Sequence, residues 1–299
     1  MKDLLKIQDL SYEQIIEILD LADQLKYDRA NGIPHKHLQD KTLAMIFEKS
    51  STRTRVSFEV GMFELGGHAL FLSSNDIQMG RGEPIQDTAR VLSRYCSGIM
   101  IRTFKQKLVE DLAEHADIPV INGLTDYSHP CQVLADLMTI REYKTDFDGL
   151  KMCYIGDGNN MSNSLIVGGL KCKMSVSVAT PVDYTPDPTV LEFAKGKSFT
   201  LTDDIYAAAK DADVLITDVW ASMGQEGESA KRAKAFADFT IDEKLMSAAK
   251  PDAIVLHCLP AHRGEEISEQ VFESHAGQIF DEAENRLHVQ KAVMVKLMK

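Results

Sequence analysis

Cysteine is scarce in this chain, long apolar runs are missing and positive charge is in deficit. The five cysteines, Cys96, Cys131, Cys153, Cys172 and Cys258, are odd in number and scattered, with no C-x-x-C pair. That pattern excludes a disulfide scaffold and a zinc knuckle, and fits a reducing cytoplasm. No apolar stretch is long enough to cross a membrane, and residues 1–10 mix charges with Leu and Ile, unlike a signal peptide. Lys and Arg total 33 against 45 Asp and Glu, a net charge of −12. Nucleic acid and anionic membrane are therefore poor partners, and any anionic ligand needs a locally basic pocket. Internal repeats and low-complexity tracts are also lacking.

What remains is an ordinary globular composition, 44% hydrophobic and 26% charged, over 299 residues, a length that suits two domains. Apolar runs of strand length at 42–47, 69–72, 98–101, 119–121, 152–155, 175–179, 214–217 and 253–257 alternate with amphipathic segments. Such βα alternation predicts an α/β fold of two doubly wound parallel-sheet domains, with ligands bound beyond the carboxyl ends of the strands. A helix starting at Pro130 and the polar stretch 143–149 place the boundary. The expected first domain is 1–145 with the C-terminal helix 284–299 returned to it, and the second is 146–283. An active-site cleft is expected between them.

Directly after the first strand comes Ser50-Ser51-Thr52-Arg53-Thr54-Arg55, opening a helix. Backbone N–H groups, the positive end of the helix dipole, hydroxyls and two guanidinium groups converge there, as a phosphate dianion requires. A plain N-cap followed by solvated arginines accounts for one hydroxyl only, not for the interleaving. Gly156-Asp157-Gly158-Asn159-Asn160 follows the fifth run, but a third fingerprint glycine would fall at Met161, so the dinucleotide signature is incomplete. Asp218 lies just past the strand 214–217 and begins a glycine-bearing loop, 220–229, suited to a lid. His257 and Cys258 are sequence neighbours on a strand, so their side chains diverge and do not share one metal ion. His288 is expected at the surface.

Ser51 to Arg55 closely resembles the phosphate motif of the aspartate/ornithine carbamoyltransferase family. His129-Pro130-Cys131-Gln132, Asp218 with Ser222-Met223-Gly224, and His257-Cys258-Leu259-Pro260 continue the match in the family's order, pointing to its ornithine-specific branch. The resemblance implies carbamoyl transfer from carbamoyl phosphate to the δ-amine of L-ornithine, giving L-citrulline and phosphate, without cofactor or metal. It implies that Ser51, Thr52, Arg53, Thr54, Gln78, Arg102, His129, Gln132, Cys258, Leu259 and Arg286 bind carbamoyl phosphate. Asn160, Asp218, Ser222 and Met223 would bind ornithine, and Arg102, His129, Asp218 and Cys258 would act in catalysis. Gln78 would come from a neighbouring subunit of a homotrimer, which could assemble further.

Other readings are weaker. A different acceptor, such as putrescine, N-acetylornithine or aspartate, fits Asp218 and its Ser-Met-Gly context less well, the first two having no free α-ammonium. A nucleotide-dependent dehydrogenase rests on Gly156 and Gly158 alone, and a non-catalytic amino-acid-binding module leaves the arginine cluster unexplained.

Overall fold

Nine strands among the described residues pair, all in parallel, into two separate sheets. The computed structural model describes residues 1–299 except Ser222, Met223 and Gln225. The chain packs as two units, Met1–Ala135 with Asn285–Lys299, and Asp136–Glu284.

The first unit runs α1 (Tyr12–Ala30), β1 (Thr42–Phe47), α2 (Thr52–Glu64), β2 (His68–Ser73), α3 (Ile85–Tyr95), β3 (Gly98–Arg102), α4 (Gln106–His115), β4 (Val120–Leu124) and the start of α5 (Pro130–Lys144). A capping box between Ser11 and Gln14 starts α1. The strand order is β2-β1-β3-β4. Connections leave β1 toward one edge and β3 toward the other, so the switch point lies between β1 and β3. Ser51 to Thr54 follow the first of these strands and Arg102 ends the second. β3 is buried throughout, the unbroken apolar run of a central parallel strand, whereas β2 at the edge is largely exposed.

The second unit contains β5 (Lys151–Ile155), α6 (Asn160–Lys171), β6 (Ser175–Ala179), α7 (Pro188–Ala194), β7 (Phe199–Thr202), α8 (Ile205–Ala209), β8 (Val214–Thr217), α9 (Ser229–Ala235), α10 (Glu243–Met246), β9 (Ile254–His257) and α11 (Glu269–Ser274). The last helix, α12 (Ala276–Met298), contributes to both units. Strand order β7-β6-β5-β8-β9 puts the second switch point between β5 and β8, just ahead of Asn159 and Asp218.

The α/β class and the two parallel sheets agree with the sequence reading, and several elements differ from it. β7 is an added edge strand: Phe199–Thr202 is only partly buried and alternates apolar with Thr, too weak a pattern to stand out. β4 extends to Leu124 through Asn122 and Gly123, which interrupt the apolar run for a structural reason. The Asn122 amide donates to the Leu5 carbonyl at 2.8 Å, and a Cβ on Gly123 would meet Met100 Sδ at 2.7 Å. α12 begins at Ala276 rather than near 283, because its buried face includes Glu282 and Asn285, polar residues that hide the helical period. Arg286 therefore sits in mid-helix. His288 is fully buried instead of solvated, and burial followed by nearby Lys291 lowers its pKa to about 3.

Candidate active site

In the first unit, the Ser51 hydroxyl caps α2 by accepting from the Thr54 N–H at 3.2 Å. Three donors then surround the buried Thr54 Oγ1: Ser51 Oγ at 3.2 Å, Arg286 Nη2 at 3.2 Å and Arg102 Nη1 at 3.5 Å. Arg286 Nη1 also donates to Gln132 Oε1 at 2.6 Å. The pairing of β3 with β4 shifts register at Ile101 and Arg102, with Gly123 of β4 as the extra residue, so the ladder is irregular where Arg102 ends β3. Both guanidinium groups are buried, against solvation energies that strongly favour water. Two cations held this close repel each other, so the arrangement favours an anionic ligand.

His129 precedes α5, and its carbonyl accepts from Gln132 N–H at 3.2 Å. Its ring is buried, and burial, then Arg286, then Arg102, hold its pKa well below the ordinary histidine value. The imidazole is neutral at pH 7. Thr52 is exposed and Arg53 half-buried at the first turn of α2. Arg55 departs from the expected convergence: its guanidinium pairs with Glu59 at 3.0 Å and lies 3.7 Å from the Phe71 ring centre, on the outer face of the helix. One arginine of that motif is therefore structural. Gln78 is exposed on a single 3-10 turn, Gln78–Arg81, whose neighbours Ile77 and Met79 pack on the core.

In the second unit, Asp218 is buried just past β8 and accepts three hydrogen bonds. Cys258 Sγ donates to its Oδ1 at 3.1 Å, Val219 N–H to the same oxygen at 2.8 Å and Asn159 Nδ2 to Oδ2 at 3.1 Å. The set suits a carboxylate held in one orientation. Burial, then the Asp218 charge, push the Cys258 thiol well above its ordinary pKa, so it is a neutral donor and no nucleophile. Leu259, half-buried, has φ +58° and donates its N–H to His257 Nδ1 at 2.9 Å. That bond makes Nδ1 the acceptor, so Nε2 carries the proton toward Glu266 Oε1 at 2.9 Å. His257 thus shapes the 258–260 turn, and its side chain diverges from that of Cys258 as expected.

Asn160, at the first turn of α6, is buried, while Asn163 is occupied in accepting from Asp187 N–H at 2.9 Å. Ser222 and Met223 lie outside the described residues. The base of their loop is fixed by buried Arg232, which donates to Asp157 and to the Trp220 carbonyl, each at 2.8 Å. Three of these contributors escaped the sequence reading. Asn159 had a legible signal, an Asn three residues before Ser162 at a helix start. Asp157 and Arg232 are 75 positions apart and had none.

The Gly156 and Gly158 turn also finds its explanation. A Cβ on Gly158 would lie 2.2 Å from the Thr185 backbone, and its N–H donates to the Tyr184 carbonyl at 2.8 Å. In a dinucleotide fingerprint that glycine leaves room for pyrophosphate. Here the chain's own 184–186 loop fills the room, which removes the basis for the dehydrogenase reading.

Among the described residues, one group has metal-ligand spacing: His262, Glu265 and Glu266, of which the first two are exposed. Glu266 already serves His257 and the His262 N–H.

Comparison with known proteins agrees along the whole chain. Residues 2–142 match the carbamoyl-P binding domain, and residues 148–297 the Asp/Orn binding domain, of aspartate/ornithine carbamoyltransferases. The ornithine carbamoyltransferase of Syntrophotalea carbinolica is 57% identical over 299 residues, covering 99% of each chain. That of Thermococcus kodakarensis is 54% identical over 303 residues, covering 99% of this chain and 96% of its own. Among solved structures, ornithine carbamoyltransferase from Pyrococcus furiosus superposes with a TM-score of 0.95 at 53% identity, over 99% of this chain and 97% of that one.

Proposed function

This chain belongs to the aspartate/ornithine carbamoyltransferase family, and from that premise we infer that it transfers the carbamoyl group of carbamoyl phosphate to the δ-amine of L-ornithine, releasing L-citrulline and phosphate. The observation that carries the reading is the convergence of Ser51, Arg102 and Arg286 on the Thr54 hydroxyl at the switch point of the first sheet.

Carbamoyl phosphate lies with its phosphate at the first turn of α2, met by Ser51, Thr52, Arg53, Thr54, Arg102 and Arg286. The lone pairs of Thr54 Oγ1 already face three donors, so its own proton is directed to a ligand acceptor. The carbonyl oxygen of the carbamoyl group, with Arg102 and neutral His129 beside it, is that acceptor. Gln132 holds Arg286 and faces the carbamoyl amine. The Leu259 carbonyl supplies an acceptor for the same amine, with the Cys258 thiol beside it.

Asp218 receives the α-ammonium of ornithine, Asn160 its backbone, and Ser222 and Met223 close the same side. The neutral δ-amine attacks the carbonyl carbon. Negative charge grows on the carbonyl oxygen and passes to the departing phosphate, facing groups already oriented before the reaction, so catalysis is positioning and electrostatics. The attacking nitrogen loses its proton to the departing phosphate. No side chain forms a covalent bond.

A trimer sharing its active sites through Gln78 completes this reading, as does a cytoplasmic setting. Support for self-association comes from exposed apolar side chains, Leu70 and Phe71 on the edge strand β2, Phe63 on α2 and Tyr95 on α3. Apolar surface on an open sheet edge is the kind that another chain covers.

The functional test is citrulline formation with a panel of amines. L-ornithine supports turnover, while putrescine, N-acetylornithine and aspartate react at least about a hundredfold more slowly, since buried polar groups are left unpaired. Preference for any of those three, or no product with ornithine, overturns the assignment.

A further inference from the structure

Gln290 stands one helical turn after Arg286 on α12 and is fully buried, yet the reaction scheme gives it no part. Oriented by its hydrogen-bonding partners, its amide oxygen accepts from Arg286 Nη2 at 3.0 Å and from Nε at 3.1 Å, while its nitrogen donates to Ser57 Oγ. Ser57 in turn donates to the Arg53 carbonyl at 2.7 Å. Gln132 takes Nη1 of Arg286, and Thr54 faces Nη2. Every nitrogen of that guanidinium is therefore held, and its plane is fixed.

We propose that Gln290 is a positioning residue that sets the plane of Arg286 and ties it, through Ser57, to the first turn of α2. The proposal rests on the carbamoyl-phosphate reading above and extends it. Two features make an amide the suitable group. It offers one oxygen to two N–H groups and an N–H to a hydroxyl, which no apolar or purely acidic side chain does. Being neutral, it also orients the guanidinium without cancelling the charge that an anion must feel, as a carboxylate would. The close crossing of α2 and α12 brings the pair together: a Cβ on Gly61 would lie 3.0 Å from Met294 Cε and 3.2 Å from Lys291 Cγ.

Gln290→Met keeps the volume and removes the hydrogen bonds. Calorimetric titration with inorganic phosphate should show about tenfold weaker binding, the loss expected when a charged group loses its orienting partner. The KM for carbamoyl phosphate rises in step, while kcat and the KM for ornithine stay within about threefold of the wild type. Because the effect runs through Arg286, Gln290→Met added to Arg286→Ala weakens phosphate binding no further. A residue needed only for packing would lower the active fraction and leave both KM values alone.

Wild-type phosphate affinity in Gln290→Met, or full additivity with Arg286→Ala, overturns the proposal. Should Gln290→Met not fold, Ser57→Ala carries the same test: twofold to fourfold weaker phosphate binding is expected, roughly one shared hydrogen bond, again absent in the Arg286→Ala background. Unchanged affinity there contradicts it. Failure of the wider reading is a separate result, namely wild-type protein that makes no citrulline from ornithine.

Discussion

A thiol beside a carboxylate and an arginine beside a hydroxyl look equally reactive in a sequence, and their surroundings give them different work. Cys258 is a neutral donor that orients Asp218, so Cys258→Ala should raise the KM for ornithine more than that for carbamoyl phosphate. Arg102→Ala should instead lower turnover by ~2 to 4 kcal/mol of transition-state stabilisation with the fold intact. Steady-state kinetics in both substrates separates the two, and equal effects on both ligands would contradict the division. His288 carries a pH prediction. Its pKa is near the ordinary 6.5 in the unfolded chain and about 3 in the folded one. Between those values the unfolded chain binds a proton that the native state does not, so this contribution to stability is complete above pH 6.5 and is lost as pH falls toward 3. At pH 5 the loss is about 2 kcal/mol. Denaturant titrations should show His288→Gln losing less stability than wild type between pH 7 and pH 5; equal losses would exclude His288 as a source. At this scale the sequence displayed Ser51, Thr54, Arg102, His129 and Asp218, because each follows a strand or opens a helix. The Asn159 cap was legible but its bond to Asp218 was not, Arg232 and Gln290 were hidden because Asp157 and Ser57 are distant in the chain, and Arg55 was put in the site because only geometry reveals its stacking on Phe71.

Elements differ in how their ends are tied. α2 delivers Thr54 at its start and Glu64 at its end, and α12 meets both, through Arg286 and Lys291. Lys291 is fully buried, donating to Glu64 Oε2 at 2.7 Å and lying 3.2 Å from His35 Nε2. Burial lowers its pKa, and the Glu64 carboxylate opposes that shift. Burial likewise opposes ionisation of Glu64, but Lys291 and then Arg29 outweigh it and hold that carboxyl below its ordinary value. The pair is asymmetric, since Glu64 keeps Arg29 at 2.8 Å when Lys291 is removed. Glu64→Gln takes the counter-charge from a buried ammonium and should cost about 3 kcal/mol, whereas Lys291→Met should cost about 1 kcal/mol or less. Chemical denaturation of both variants checks the order, and a larger loss for Lys291→Met would reverse the argument. Legibility at this scale followed burial pattern. The interior strands β1, β3, β5, β6 and β8, and the buried edge strand β9, were readable as apolar runs, while β7 and the first turns of α12 were not, one being a half-exposed edge and the other a helix with polar residues on its buried face.

For the whole molecule, both sheets place their chemistry after strands that flank a switch point, so order along the chain already sorted phosphate groups from amino-acid groups. Domain count and class were readable for the same reason, since βα alternation leaves few topologies. Assembly is the property that one chain does not carry by itself. If Gln78 serves a neighbour's site in a trimer, Gln78→Ala and Asp218→Asn should each be nearly inactive, yet recover about a quarter of sites when mixed equally, dissociated and reassembled. A mixture that stays at the level of its parents, beside a wild-type control that recovers, would confine Gln78 to its own chain. The central claim is the bond between ornithine Nδ and the carbamoyl carbon, and isotope-coupled NMR observes that bond itself. With 13C-carbamoyl phosphate and δ-15N-ornithine, the purified protein should produce a ureido carbon split by its directly bonded 15N, growing in step with released phosphate. The same experiment with α-15N-ornithine should give a product carbon with no such splitting. Splitting from the α-nitrogen, or phosphate release without any 13C–15N coupling, would contradict the account.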